Sequence, residues 1–256
     1  MQYVIVILAV LLNLIVHEGA HAFAMRRLGV PLKEAGLGIP IPFLPHAAWM
    51  LRNGLRLTLH PLFIGAYVMA TQEGEKIIND FPYYKKTFVA GAGVVSNIAF
   101  GCFIAAAWLV TQDAFLSAAA YLLVTAFLLR FIRLVSAYGV PLLSVIMATM
   151  LVLSVLSSSS SDGSNEARLV GPIGIGELTT RISSLDQAIQ LAIVLSFAIG
   201  LINALPLHPL DGGHIVDAFL VKIAVPRWIQ TMYARISFSL FILLIVLVWS
   251  SDISRL

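Results

Sequence analysis

A run of about 20 mostly apolar residues is long enough to cross the hydrocarbon core of a bilayer as one helix. This chain reads as six such runs, near 3–27, 87–111, 114–133, 137–156, 186–207 and 232–250. Only 11% of its 256 residues are charged and 59% are hydrophobic, whereas a soluble domain carries about 25% charged residues. Too few polar residues remain to coat a water-facing surface. The expected fold is therefore an α-helical polytopic membrane protein of about six transmembrane helices, forming one domain over 1–256. The opening "MQYVIVILAVLLNLIV" has neither a basic n-region nor a small-residue cleavage site, so it reads as a retained first span and not as a signal peptide. The basic residues behind the formal charge of +3 are scattered, which excludes a nucleic-acid-binding face. The single cysteine, Cys102, rules out an intrachain disulfide and reads as a packed small residue.

Charge sets the expected orientation. With the segment after the first span on the cytoplasmic side, 13 of the 16 lysines and arginines fall inside, leaving Arg168, Arg181 and Arg255 outside. The positive-inside rule favours that arrangement, with both termini extracytoplasmic in the plasma (inner) membrane. Residues 28–86 make an unusual loop. "LGIPIPFLP" and "LRLTLHPLFIGAYVMA" are too apolar for a solvated linker and too interrupted for a helix. In "LRLTLH", leucines alternate with Arg56, Thr58 and His60, the period of a half-buried strand, and "AYVMA" can form a second strand. Non-helical backbone at membrane depth needs protein or a water-filled cavity to satisfy its hydrogen bonds. Residues 37–70 are accordingly expected to form a small membrane-associated, re-entrant β-sheet region. "SSSSSDGSNEAR", 157–168, reads as a polar loop.

Chemistry concentrates in two places. His17-Glu18-Gly19-Ala20-His21 is an H-E-x-x-H motif, which on a helix puts both imidazoles on one face within reach of one metal ion. Glu18 lies about 100° round from His17, able to act on water without being a ligand. Ionisable groups inside a span are costly and mark function. Asn13, one turn earlier, suits either orienting a ligand or polar helix packing. A catalytic zinc normally takes three protein ligands and a water, so a third must come from elsewhere. "NALPLHPLDGGH", 203–214, breaks an apolar run at Pro206 and Pro209 and presents Asp211 before two glycines. A carboxylate at a broken helix is a ligand-shaped arrangement, although D-G-G is also good turn chemistry. His208 and His214 are rival ligands that flank this turn, suited also to interfacial or supporting positions. His46 and His60 fall in the sheet region, where packing or surface roles are the default. The charge-derived topology places His17, His21 and Asp211 on the same, inner side.

These residues resemble the site-2 protease family of intramembrane zinc metalloproteases. The matches are HEGAH, "GAYV" at 65–68, "GAGVVSN" at 91–97, "GPIGI" at 171–175 and "NALPLHPLDGG" at 203–213, in the family's order. The resemblance implies one zinc ion held by His17, His21 and Asp211, with Glu18 as catalytic base. It further implies that Asn203 helps position substrate or a ligand, that Asn97 has a supporting role, and that Gly65 and Tyr67 belong with the substrate-binding or supporting residues. It implies membrane-protein or peptide substrates cut within or near a transmembrane segment, with the lipid bilayer as surroundings and no nucleic acid. Two departures from the family are expected: no PDZ domain before GPIGI and no CBS domain after the last span. GAGVVSN has Gly91-Ala92 for the usual Gly-Pro, and GAYV has Gly65-Ala66 for Gly-Gly. Other classes compatible with the sequence are a catalytically silent relative that binds membrane proteins and a metal-dependent transporter or sensor. The nearest enzyme rival is another HExxH protease. An intact Glu18 favours an enzyme, and the distant L-D-G-G disfavours the rival.

Overall fold

The computed structural model describes residues 2–41, 43–61, 65–112, 174, 176 and 179–253. The spans expected near 114–133 and 137–156, the serine run and most of GPIGI lie outside the described residues. Within them, four helices are long and apolar enough to cross a membrane. These are α1 (Gln2–Arg27), α3 (Tyr83–Gln112), α4 (Leu185–Asn203) and α6 (Arg227–Ile253). Two short helices, α2 (Gln72–Asn79) and α5 (Asp211–Lys222), join the set.

Helix α1 runs uninterrupted because its sequence has no proline and its polar side chains are few. It stops where Gly29 takes a left-handed φ of 80°, a conformation only glycine adopts without strain. The Val30 N–H then donates to the Met25 carbonyl at 2.9 Å, closing the helix end, while Arg26 and Arg27 complement its dipole. Asn13, fully buried, donates to the Ser196 hydroxyl of α4 at 2.8 Å and to the Ala9 carbonyl at 2.9 Å. It thus serves as a polar helix–helix contact. Small residues bring the helices close: Gly200 of α4 faces Asn97 of α3, and Gly101 of α3 faces Ser196 and Phe197. Outward, Ile7, Leu8, Leu12 and Ile15 of α1 and Phe238, Leu243 and Val246 of α6 are exposed, the apolar surface expected against lipid.

Between α1 and α2 the chain builds four strands, β1 (Leu32–Leu37), β2 (Ala47–Met50), β3 (Arg56–Leu59) and β4 (Ala66–Ala70). They lie in the order β2-β3-β1-β4. β1 pairs parallel with β3 and antiparallel with β4. The sheet thus begins at Leu32, earlier than the expected 37. "LKEAGL" carries no alternating apolar pattern, and it is a strand because its Glu34 is bonded across the sheet. The alternation in β3 also reads in the reverse sense: Thr58 and His60 are buried while Leu57 and Leu59 are half-buried. Glu34 Oε1 accepts from the Tyr67 hydroxyl at 2.6 Å and the Thr58 hydroxyl at 3.1 Å, and Tyr67 Oη lies 3.1 Å from His60 Nε2. The covered face of this strand is held by hydrogen bonds rather than by leucines. Gly65, at φ 95°, turns the chain into β4, and its carbonyl accepts from the Gly38 N–H at 2.8 Å.

The apolar run expected to reach 207 ends as a helix at Asn203. Residues 204–210 then fold into a turn packed on the start of α5. Gly212 and Gly213 allow this, since a Cβ on Gly212 would meet the Ala204 carbonyl carbon at 2.6 Å and one on Gly213 the Leu207 carbonyl carbon at 2.8 Å. The two glycines therefore fix where Asp211 stands.

Candidate metal centre

The helical spacing of HEGAH brings His17 and His21 together, and the turn before α5 delivers Asp211 to them. His17 Nε2 lies 3.2 Å from His21 Nε2 and 3.2 Å from Asp211 Oδ2, and His21 Nε2 lies 3.3 Å from the same oxygen. Asp211 Oδ2 is buried and has no hydrogen-bond partner among the described residues despite those approaches. The three atoms converge on a common point instead of lining up N–H to O. Ligand atoms about 2.0 Å from a tetrahedral zinc stand about 3.3 Å from one another. The triangle already has those edges, so the donor set fits zinc in kind, number and spacing.

Neighbouring groups orient these donors. The His21 Nδ1–H donates to the Val89 carbonyl at 2.8 Å, which leaves the Nε2 lone pair free. Behind His17 stands Asn97, fully buried, whose carboxamide lies 3.2 Å from Nδ1. As placed, Nδ2 faces the ring and Oδ1 is buried without a partner. A half-turn of the carboxamide interchanges its O and N. The half-turn that satisfies Oδ1 makes it accept His17 Nδ1–H and leaves Nε2 free for metal. Gly93 completes the cradle: a Cβ there would collide with both imidazoles.

The triangle opens into a cleft of about 400 Å³ between α1, β4, α2, α3 and α5. Glu18, His21 and Asp211 line it together with Lys86, His214 and Asp217, and Met25, Ile78 and Val221 add apolar wall. Val68 of the edge strand β4 faces the cleft beside Glu18. Along α1, His21 sits six residues before Arg27, about 9 Å from the helix end, beneath the basic residues that mark it.

Not every residue singled out from the sequence reaches this cleft. Tyr67 turns to the far side of β4 into the Glu34 network, and Gly65 acts through its backbone conformation. The Asn203 amide donates to the Ile199 carbonyl of its own helix at 2.9 Å. His60 and His46 stack in the sheet, ring centroids 5.0 Å apart. His208 and His214 stay outside the triangle and gather with Asp217. Lys86 and Gly93 carry no individual signal in the sequence. Gly93 sits inside the quoted GAGVVSN motif, but only the packing of α3 on α1 reveals why that position has no side chain.

A bundle of apolar helices that gathers an H-E-x-x-H pair and a distant aspartate around one common point defines a polytopic membrane metalloprotein. Comparison makes this specific: a family model, Peptidase family M50, matches residues 5–247, and the chain belongs to that family. Among its relatives, the regulator of sigma-W protease RasP of Bacillus subtilis is 30% identical over 125 residues, covering 47% of this chain and 29% of RasP. The zinc metalloprotease RasP of Bacillus licheniformis is 31% identical over 93 residues, 34% of this chain and 22% of that protein. A Brucella suis relative is 44% identical over 54 residues, 20% of this chain and 14% of its own. The matched stretches thus span less than a third of the length of these curated relatives.

Proposed function

We propose that this chain is an intramembrane zinc metalloprotease of the site-2 type, hydrolysing peptide bonds within or near transmembrane segments of membrane-protein substrates. The observation that carries this reading is the preformed triangle of His17, His21 and Asp211 with Glu18 beside it in one cleft. One zinc held there supplies Lewis acidity, acidifying water and polarising a scissile carbonyl. Glu18 accepts the proton of the attacking water and returns it to the amide nitrogen as the C–N bond breaks. Asn97 and the Val89 carbonyl keep the two imidazoles as neutral Nε2 donors. The cleft opens on the cytoplasmic side of the inner membrane, with both termini outside, as the charge distribution suggests. A helical substrate hides its peptide bonds and has to unwind; the free edge of β4 offers main-chain hydrogen bonds to the extended strand.

The test is cleavage of a single-span model substrate by the purified chain in lipid vesicles. Cleavage is expected to stop in Glu18→Gln while zinc stays bound, and to stop on chelation and return with added zinc. Undiminished cleavage by Glu18→Gln would sink the mechanism.

A further inference from the structure

The second gathering of ligand-type side chains lies on the wall of the same cleft. His208 Nε2 stands 2.8 Å from Asp217 Oδ2, the His208 and His214 rings are edge to face with centroids 5.0 Å apart, and one ligand atom from each of the three residues lies within 4.8 Å of the others. His208 Nε2 is buried and, for all its closeness to Asp217, makes no hydrogen bond among the described residues. The same combination is seen at Asp211: a short nitrogen-to-oxygen approach that does not make a hydrogen bond. A simple imidazole–carboxylate brace would place the N–H on the oxygen.

The three residues are independently anchored. The His208 N–H donates to the Ser237 hydroxyl at 3.3 Å, and its ring rests edge-on against Tyr233 at 5.7 Å, so α6 sets its orientation. His214 and Asp217 are three residues apart on α5, hence on one face. His214 is exposed and Asp217 half-exposed, leaving water an open coordination position. Two imidazoles and a carboxylate are the donor set of a borderline divalent ion such as zinc, not of calcium or magnesium, which take oxygen ligands.

We propose that His208, His214 and Asp217 form a second divalent-metal site of the zinc class on the rim of the cleft. Its ion clamps the 206–210 turn to α5, and that turn is the segment from which Asp211 hangs. The rim site is separate from the HExxH centre, and its occupancy can be counted without measuring proteolysis.

The experiment is a metal count on tag-free chain in lipid nanodiscs equilibrated with zinc, by mass spectrometry and by calorimetric titration, repeated with cobalt for its ligand-field spectrum. Wild type is expected to bind about two equivalents, one tight and one weaker. Asp217→Asn and His214→Gln, both substitutions at accessible positions, should lose the weaker equivalent and keep the tight one. A His17→Ala/His21→Ala double variant should keep the weaker one alone, with a cobalt spectrum matching that of the weaker equivalent in wild type. A single equivalent in wild type that persists in Asp217→Asn overturns the proposal, as does a second equivalent that survives in both rim variants. A single equivalent lost in Asp217→Asn but kept in the His17→Ala/His21→Ala chain would support the rim site and count against the HExxH centre instead.

Discussion

Gly93 has no side chain, and the proposed zinc centre depends on that. A Cβ built on it would fall 2.5 Å from His17 Cε1 and 2.6 Å from His17 Nε2, and would collide with His21 Nε2 as well. Non-bonded heavy atoms rest about 3.5–4.0 Å apart, so in Gly93→Ala the imidazoles must retreat by roughly 1 Å. Metal–ligand distances tolerate about 0.2 Å, and the present ligand triangle leaves no slack, its edges being 3.2–3.3 Å. Zinc occupancy should collapse, and cleavage of a single-span substrate should fall at least about 100-fold, the scale of a 1 Å misplacement, or about 2.7 kcal/mol of transition-state stabilisation. The fold should survive, because alanine is the better helix former by about 0.8–1.0 kcal/mol. Gly19→Ala is the control: it lies within HEGAH, yet a Cβ there has nothing within 4 Å, so it should keep its zinc. Metal content, circular dichroism and substrate cleavage measured on the two variants decide the matter. A folded Gly93→Ala chain with full zinc and ordinary turnover would refute the argument that this glycine makes room for the metal.

Substitutions at three further positions probe the supports. Asn97→Ala should weaken zinc binding about 10–100-fold, the usual cost of losing a group that orients a ligand; Asn97→Asp, which can still accept His17 Nδ1–H, should recover most of it, and equal loss in both would show that the carboxamide donates instead. Gly212→Ala places a Cβ against the Ala204 and Leu205 carbonyls, so thermal unfolding should report roughly 1–3 kcal/mol of lost stability together with loss of zinc. In the sheet, the Tyr67 hydroxyl, opposed by burial and aided by Thr58 and Arg56, holds the Glu34 carboxyl below its ordinary 4.5. A depressed carboxylate stabilises the fold above the unfolded-state value and loses that contribution as pH falls through the folded one. The stability difference between wild type and Tyr67→Phe should therefore be level above about pH 5 and narrow on acidification below it; a difference that widens would contradict the assignment.

The candidate ligands His17, His21 and Asp211 were legible because each signal is local or nearly so. HEGAH needs only the 3.6-residue period of a helix, and L-D-G-G needs only a broken apolar run followed by glycines. Their pairing required one further inference, that both lie at the inner ends of their spans. The long helices were legible for the same reason of length and hydropathy. The sheet was half legible. β3 and β4 announce themselves by alternation and β-branched or aromatic residues, whereas β1 owes its conformation to the sequence-distant β3 and β4, and β2 to the hairpin it makes with β3. The polarity of β3 could not be read at all, since alternation reveals two faces but not which is covered. Tyr67 shows the same limit: the motif flags it, and only register reveals that its side chain turns away from the cleft. Gly93, Lys86 and the gathering of His208 with Asp217 depend on interhelical packing, which no local pattern encodes.

Strand β4 joins these observations physically. Successive side chains of a strand point to opposite faces, so fixing Tyr67 on one face commits Val68 to the other. Tyr67 is fixed by its bond to Glu34, by a 2.9 Å contact with the Thr58 hydroxyl and by His60. Gly36, directly opposite in register, leaves the space its ring occupies. The polar face of the sheet thus anchors the strand whose other side meets Glu18, and β4 is an outer strand of the sheet, with no further strand on its outer edge among the described residues. An unwound transmembrane segment presents two things that are hard to satisfy together: apolar side chains and bare peptide groups. Under the proposed function the cleft would answer each with a different part of its wall, Met25, Ile78 and Val221 for the side chains and the β4 edge for the backbone. A soluble zinc protease with the same ligands has no need of that combination, so under the proposed function the sheet, and not the metal centre, would be the feature that suits the chain to a substrate drawn from the membrane.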